Sequence, residues 1–358
     1  MSIKDLEKQH GLKYNAQGLL FNMPLRDVHH PIDHYIRDWM HTLVSGGVAN
    51  VETGHLVNAL KSIGIPATLL QEYSLEYVLS KKYGTVSASW LDPKRFGDDS
   101  LSSFASVMLT LVPIVSAFLI DFVAPENMIA DHIECYRLLA DILGLLSAGF
   151  EDVLPHLDTL QHLVELHHKL FVLIYPLSAV KPKWHHMLHL RDTYLRLRKI
   201  ISCFVTARKH KVVKGASLFV FRNLEHTALC AVVHQQCEMV CEGHSLFQRR
   251  LLAHPSTIEL MGERLHRSVD AVLDCGNIRV GDVVYSIGGI VSRILCFWQS
   301  NNQIVAQCHE CVKVSEFIYR DDTRVAFIMA ESIVDAMAYR PLGDGSIRVI
   351  MPYAARLG

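Results

Sequence analysis

The stretch Ile133-Glu134-Cys135-Tyr136-Arg137-Leu138-Leu139-Ala140-Asp141-Ile142-Leu143 carries apolar residues at spacings of three and four. This period is typical of a helix with one buried face. It recurs earlier in the chain, in two runs: Leu56, Leu60 and Ile63, then Leu69, Leu70, Tyr73 and Tyr77. The sequence therefore predicts a series of helices over residues 38–180, with two or three more before residue 272.

After Asp274 the pattern changes to short runs rich in β-branched residues. Residues 280–286 and 290–297 are rich in residues that favour strands, and Asn301-Asn302 predicts a turn before the next run. The predicted fold class is mainly α with an α+β organisation. Its three parts are an irregular segment 1–37, a helical domain 38–272 and a small antiparallel β domain 273–358.

The composition limits the classes of function. A chain of 358 residues that is 50% hydrophobic can bury a large core, and a mean hydropathy of +0.20 favours extensive burial or an interface in a homo-oligomer. A net charge of −1 gives no overall attraction to nucleic acid, so such a role needs a local patch. Nine irregularly spaced cysteines, without a signal-peptide pattern, predict reduced thiols and an intracellular location.

One segment approaches the length of a membrane span. Residues 104–120 contain no charged side chain, and a bilayer needs about 20 apolar residues. Pro113 lies in the middle of the segment, Asp121 ends it, and no cluster of basic residues flanks it closely. We therefore predict a buried core helix and no membrane association.

Asp38-Trp39-Met40-His41 begins the first predicted helix. At this spacing Asp38 and His41 share one side of the first turn. Two interpretations follow: the carboxylate caps the helix, as aspartate often does, or Asp38 is a metal ligand beside the His41 imidazole. Spacing alone favours the cap.

The segment Lys181-Pro182-Lys183-Trp184-His185-His186-Met187-Leu188-His189 carries three histidines and two lysines. His185 and His189 are four residues apart, a spacing that zinc-binding helices use, but no glutamate lies between them as in zinc proteases. A structural role near the core is favoured over metal ligation. Lys183 is a candidate contact for nucleic acid.

A basic cluster follows Cys203-Phe204-Val205-Thr206-Ala207. Its members are cationic or become so on protonation and form a candidate phosphate-binding surface: Arg208, Lys209, His210, Lys211 and Lys214. The alternative is an ordinary solvated helix face.

Together these three segments resemble the core of CACTA-type (En/Spm-like) DDE transposases. The resemblance implies an RNase H-like fold with a helical insertion, covering approximately residues 19–240. It also implies that Asp38 is the second catalytic carboxylate, with His41 beside it. In the family a glutamate that closes the metal site stands where this chain has Ala207. The first aspartate of the family lies roughly 60 residues or more upstream, whereas 37 residues precede Asp38; we therefore expect the C-terminal portion of such a protein.

The resemblance leads to three hypotheses. The first is a degenerate transposon-derived protein without catalysis, which retains DNA binding through its basic segment and is then nuclear. The second is a helical protein-interaction module with no nucleic-acid role. The third is an active nuclease that uses another carboxylate set with Mg²⁺ or Mn²⁺, since strand cleavage of this kind needs paired metals; otherwise no cofactor is expected.

Two cysteine–histidine groups remain. His234, Cys237, Cys241 and His244 would share one face of a helix, but the first and last would be about 15 Å apart along the axis, so we predict a core face. The segment Cys308-His309-Glu310-Cys311 contains a single Cys-x-x-Cys pair, which is weak evidence for a metal site. Cys275 and Cys296 could complete a set of four ligands only if folding brought them close to this pair.

Overall fold

The computed structural model describes residues 37–80, 83–97, 100–126, 128–148, 153–199, 202–203, 249–252, 256–260, 263–300 and 303–350, with a few positions between 223 and 237. Helices come first and antiparallel sheets follow, so the α+β organisation is confirmed. The predicted segment 1–37 lies outside the described residues except for Arg37.

The helical part opens with a π-helical turn, Met40–Val44. The described residues contain seven α-helices of seven or more residues. They are α1 Val48–Ser62, α2 Ala67–Leu75, α3 Ala105–Phe118, α4 Ala130–Ser147, α5 Leu157–Ile174, α6 Pro182–Leu188 and α7 Leu190–Leu197. Irregular turns at Leu119–Val123 and Ala124–Glu126 extend α3.

The predicted apolar faces form one core. Leu56 and Leu60 of α1 are buried, as are Tyr136, Leu139 and Leu143 of α4. They belong to a single cluster that also takes in α3 and α5. Burial of large apolar side chains of this kind is the main stabilising contribution to folding.

The segment predicted to be a core helix is α3 with its extension. Met108, Leu111, Val112, Val115 and Phe118 are fully buried in the helical core. By length and composition alone, the helix from Ala105 to Glu126 could also cross a membrane, and half of its most apolar window is buried. The absence of a membrane role stays a prediction.

The β part contains twelve strands among the described residues. They are β1 Arg250–Leu252, β2 Ser256–Leu260, β3 Glu263–Ser268, β4 Asp270–Leu273, β5 Gly276–Arg279, β6 Val283–Ser286, β7 Ile290–Ser300, β8 Gln303–Ser315, β9 Ile318–Met329, β10 Ile333–Met337, β11 Tyr339–Pro341 and β12 Ser346–Val349.

The strands form two antiparallel sheets. One has the order β1-β4-β5. The larger has the order β10-β6-β7-β8-β9-β12-β11, with β3 paired to β7 and β2 to β3. The long strands β7, β8 and β9 form a meander, and irregular register near Cys296 and Cys311 bends it.

The change from helix to strand comes earlier than predicted. Strands β1 to β3 lie before the predicted boundary at residue 273, and β4 begins before it, in a region where the sequence had indicated helices. The side chains of β3 are largely polar, so no alternation of apolar and polar residues marks this segment as a strand in the sequence.

The helical and β parts pack against each other. Val78 exchanges two main-chain hydrogen bonds with Tyr339, of 2.8 and 3.1 Å. Arg348 of β12 lies with its Nε 2.7 Å from Oδ2 of Asp121, at the end of α3. Ala338 and Ile350 pack directly on the helical core.

A cationic cleft between two sequence segments

Asp38 accepts hydrogen bonds from two parts of the chain. The main-chain N–H groups of Met40 and His41 both donate to its carboxylate at 3.1 Å, which is the arrangement of a helix cap. Nδ1 of His41 also contacts the carboxylate, and the N–H of Cys203 donates to it at 3.0 Å. A carboxylate has about four acceptor positions, so these four contacts use its capacity.

The loop after this turn is held by a lysine from far along the sequence. Nζ of Lys183 donates to the main-chain oxygens of Ser45 and Gly46, at 2.8 and 2.9 Å. Burial lowers the pKa of Lys183, and the negative charge of Asp38 opposes that effect. Lys183 therefore joins the loop to α6.

The sequence of α6 explains how Lys183 is placed. Pro182 opens the helix, where its missing N–H is not needed. Trp184 and Met187 are fully buried, and the Trp184 ring packs on Phe171 of α5 with centroids 4.7 Å apart. Since these two side chains fix one face in the core, Lys183 and His186 lie on the face toward the Asp38 turn.

His185 and His189 meet as their spacing predicts. Their Nε2 atoms are 3.2 Å apart, and their ring centroids 4.6 Å apart. The expected position near the core is wrong for His185, which is exposed, because the buried face of α6 belongs to Trp184 and Met187. Burial and the charge of Arg37 lower the pKa of His189.

Between these segments lies a cleft of about 520 Å³, here named the Asp38 cleft. Its described lining contains three cationic side chains and one carboxylate, with two histidines and smaller residues: Arg37, Asp38, His41, Thr42, Gly46, Lys181, Pro182, Lys183 and His186. The pKa of His186 is lowered by burial first and then by Arg37, with His185, His189 and Lys183 adding to the effect. The cleft is therefore cationic and suited to an anion.

The third sequence segment reaches the cleft through Cys203. Burial and the charge of Asp38 raise the pKa of the Cys203 thiol. Ala207 and the candidate nucleic-acid contacts that follow lie outside the described residues: Arg208, Lys209, His210, Lys211 and Lys214.

The donor set at Asp38 does not fit the Mg²⁺ or Mn²⁺ that the resemblance implies. The ligand atoms of Asp38, His41 and Cys203 lie within 4.8 Å of one another, but they comprise one oxygen, one nitrogen and one sulfur. Mg²⁺ requires near-octahedral oxygen ligation, and both carboxylate oxygens of Asp38 already accept hydrogen bonds. The metal role of Asp38 stays a prediction.

A second group of three ligating side chains lies in the core. Glu52, Cys135 and His167 are fully buried, with their ligand atoms also within 4.8 Å of one another. No motif in the sequence brings these three residues together. The available signal was that Glu52 and His167 interrupt apolar faces of α1 and α5, but the three residues lie on separate helices, and no local spacing links them.

The other cysteine and histidine groups give no metal site among the described residues. Cys308 and Cys311 of β8 belong to neither ligand group. Their thiols donate instead to the main-chain oxygen of Ala326 and to Asp321. The predicted core face at His234 and Cys237 is wrong for these two residues, which are exposed; Cys241 and His244 lie outside the described residues.

The fold and cleft thus define an α+β protein with a cationic surface site. No protein-family model, curated protein or solved structure matches this chain. The transposase resemblance therefore rests on the three quoted segments.

Proposed function

We propose that this chain is a transposase-like protein that binds nucleic acid without cleaving it, and that the Asp38 cleft contacts the phosphate backbone. One observation carries the proposal. Asp38, Lys183 and Cys203, one from each of the three segments, meet at one cleft through direct hydrogen bonds or shared lining.

The charges of the cleft favour a phosphate over a metal ion. Arg37, Lys181 and Lys183 outnumber Asp38, and the carboxylate is already occupied by N–H donors. The net charge of the chain is −1, so attraction to nucleic acid would be local and short in range. Such binding releases the cations that were condensed on the phosphates. Because a higher salt concentration opposes this release, the affinity falls steeply as the salt concentration rises.

The lack of cleavage follows from the carboxylate count. Paired catalytic metals lie about 4 Å apart and are held by several carboxylates. Asp38 is the single carboxylate in the described lining of the cleft, and Ala207 stands where the resembling family has a glutamate.

Fluorescence anisotropy with a labelled duplex of about 30 base pairs tests the proposal, at about 50 mM and 200 mM salt. We expect binding at the lower salt, with affinity falling steeply between the two. Lys181→Gln should reduce the slope of log affinity against log salt by about 1, as one lost phosphate contact does. Replacing Arg208, Lys209 and Lys211 together by Gln should reduce it by about 3.

The matched control replaces three exposed lysines away from the cleft, Lys61, Lys94 and Lys313, by Gln. An equal loss in the control would mean that net charge alone drives binding and would contradict a specific site. Lack of binding at about 50 mM salt would favour the protein-interaction module. Cleavage of the duplex with Mg²⁺ or Mn²⁺, abolished in Asp38→Ala, would overturn the proposed absence of catalysis.

A further inference from the structure

Three buried side chains from three helices converge in the helical core. Glu52 lies on α1, Cys135 on α4 and His167 on α5, and the side chains of Glu52 and His167 have no exposed surface. Oε2 of Glu52 and Nε2 of His167 are 2.6 Å apart. The Cys135 sulfur lies within 4.8 Å of a carboxylate oxygen of Glu52 and of a ring nitrogen of His167.

The polar atoms of this cluster are incompletely paired. Oε1 of Glu52 and Nδ1 of His167 are buried and have no hydrogen-bond partner among the described residues. The Cys135 thiol is a weak donor: it lies 3.8 Å from the main-chain oxygen of His167 and also hydrogen-bonds to the Glu52 side chain. A buried carboxylate is costly unless its charge is compensated and its oxygens are bonded. The cluster therefore has unused ligand capacity at a fully buried point.

The same core cluster that contains Cys135 also contains Tyr175. The Tyr175 hydroxyl is buried, again without a described hydrogen-bond partner. The Tyr175 ring lies 5.2 Å from the rings of both His55 and His132. Burial raises the pKa of Tyr175, and the charge of Glu52 raises it further.

We propose that Glu52, Cys135 and His167 bind a zinc ion at a buried site with three protein ligands. Carboxylate oxygen, thiolate sulfur and imidazole nitrogen are the three ligand types that Zn²⁺ binds in proteins. Mg²⁺ and Ca²⁺ are disfavoured, since they take oxygen ligands. The three protein ligands leave the fourth position of the tetrahedron open for a water molecule.

The charges of the proposed site balance. Cys135 loses its proton to solvent as the Zn–S bond forms, so that thiolate and carboxylate together cancel the double charge of the ion. The Glu52–His167 contact of 2.6 Å must open to about 3.3 Å, the separation of two ligand atoms at tetrahedral zinc with bonds of about 2.0 Å.

The site would fix three helices at one point. His167 lies one turn before Phe171, on which Trp184 of α6 packs. Bound metal would therefore also steady the helix that carries Lys183 to the Asp38 cleft. The zinc site does not depend on nucleic-acid binding, and either proposal can fail alone.

The test uses the full-length chain, stripped of metal with a chelator and titrated with Zn²⁺. We expect one equivalent to bind and the apparent melting temperature to rise. X-ray absorption at the zinc edge should give one sulfur neighbour at about 2.3 Å and nitrogen or oxygen neighbours at about 2.0 Å. Because this measurement uses the unmutated chain, it does not depend on a variant folding. Lack of stoichiometric binding, a shell without sulfur, or a shell with two or more sulfurs would overturn the site.

Two cysteine variants test whether Cys135 is the sulfur ligand of the zinc ion. Cys135→Ala should lose at least tenfold in zinc affinity and lose the sulfur neighbour. Cys308→Ala is the matched control: it removes another buried thiol that donates weakly to a main-chain oxygen, in the β part, and should keep both. A folded Cys135→Ala protein that retains the sulfur neighbour would place the metal elsewhere and contradict the proposal.

Discussion

The main-chain N–H of Cys203 donates to Oδ1 of Asp38 at 3.0 Å, across 165 positions of sequence. The same carboxylate caps the turn that begins at Met40. Asp38 therefore holds a local turn and a distant segment with one side chain.

Replacing Asp38 by Ala should destabilise the protein by about 2 kcal/mol, the upper end for loss of a helix cap. The reason is that the substitution removes both the cap and the contact with Cys203. Urea denaturation measures the change in the free energy of unfolding. Asp92→Ala is the matched control, because the Asp92 carboxylate caps a short surface turn by accepting a hydrogen bond from the main-chain N–H of Lys94 at 2.9 Å. This substitution should cost about 0.5 to 1 kcal/mol. Equal costs would show that the contact with Cys203 contributes nothing.

Two adjacent glycines in the cleft loop should respond differently to alanine. A Cβ at Gly47 would lie 2.6 Å from the main-chain oxygen of Leu43, whereas one at Gly46 meets nothing within 4 Å. Gly46 has a φ of +57°, so Gly46→Ala should cost about 1 kcal/mol in backbone strain. Gly47→Ala should cost about 3 kcal/mol or more, because the clash is with backbone that cannot move alone. Chemical denaturation of both variants checks the order, and the reverse order would contradict the loop geometry.

Stability should fall as the pH drops through about 6.5, the ordinary pKa of histidine. Burial and then Arg37 lower the pKa of His186, with His185, His189 and Lys183 acting in the same direction. The folded state therefore binds fewer protons than the unfolded state between the lowered pKa and the ordinary one, so acid favours unfolding in that window. Urea denaturation at about pH 7.5 and about pH 5.5 should show a smaller loss of stability in His186→Gln than in the unmutated chain. Identical losses in the two proteins would contradict the environment described for His186.

The ion pair between Arg348 and Asp121 should stabilise the packing of the two parts of the chain. The Arg348 side chain is 7% exposed, and Asp121 also accepts from the Tyr73 hydroxyl at 2.8 Å. Arg348→Met leaves the carboxylate partly buried without its cation, and should cost about 2 to 3 kcal/mol, less than for a fully buried pair. A double-mutant cycle with Asp121→Asn measures the coupling.

The control for this cycle is an exposed pair in β9. Arg324 and Asp322 lie 2.6 Å apart, but Arg324 is 73% exposed. Arg324→Met should cost much less than Arg348→Met, because solvent screens the exposed interaction. A similar cost at both pairs would mean that burial adds nothing at Arg348.

The sequence predicted the elements with strong periodicity and missed those whose pattern is weak. The α4 helix was readable because Tyr136, Leu139 and Leu143 repeat at three and four, and β7 because its β-branched run is long. The polar strand β3 was not readable, since its pairing with β2 and β7 decides its conformation. Local spacing also predicted the Asp38 cap and the meeting of His185 with His189.

The sequence by itself determined an α+β chain with helices first, a capped turn at Asp38 and three segments rich in polar and basic residues. Tertiary structure decided that Lys183 and Cys203 reach the Asp38 turn, and that Glu52, Cys135 and His167 share one buried point. The physical reason is that helix and cap formation depend on neighbours within a few positions. The meeting of distant polar groups depends on which apolar faces pack together, as Trp184 does on Phe171, and no spacing along the chain records that choice.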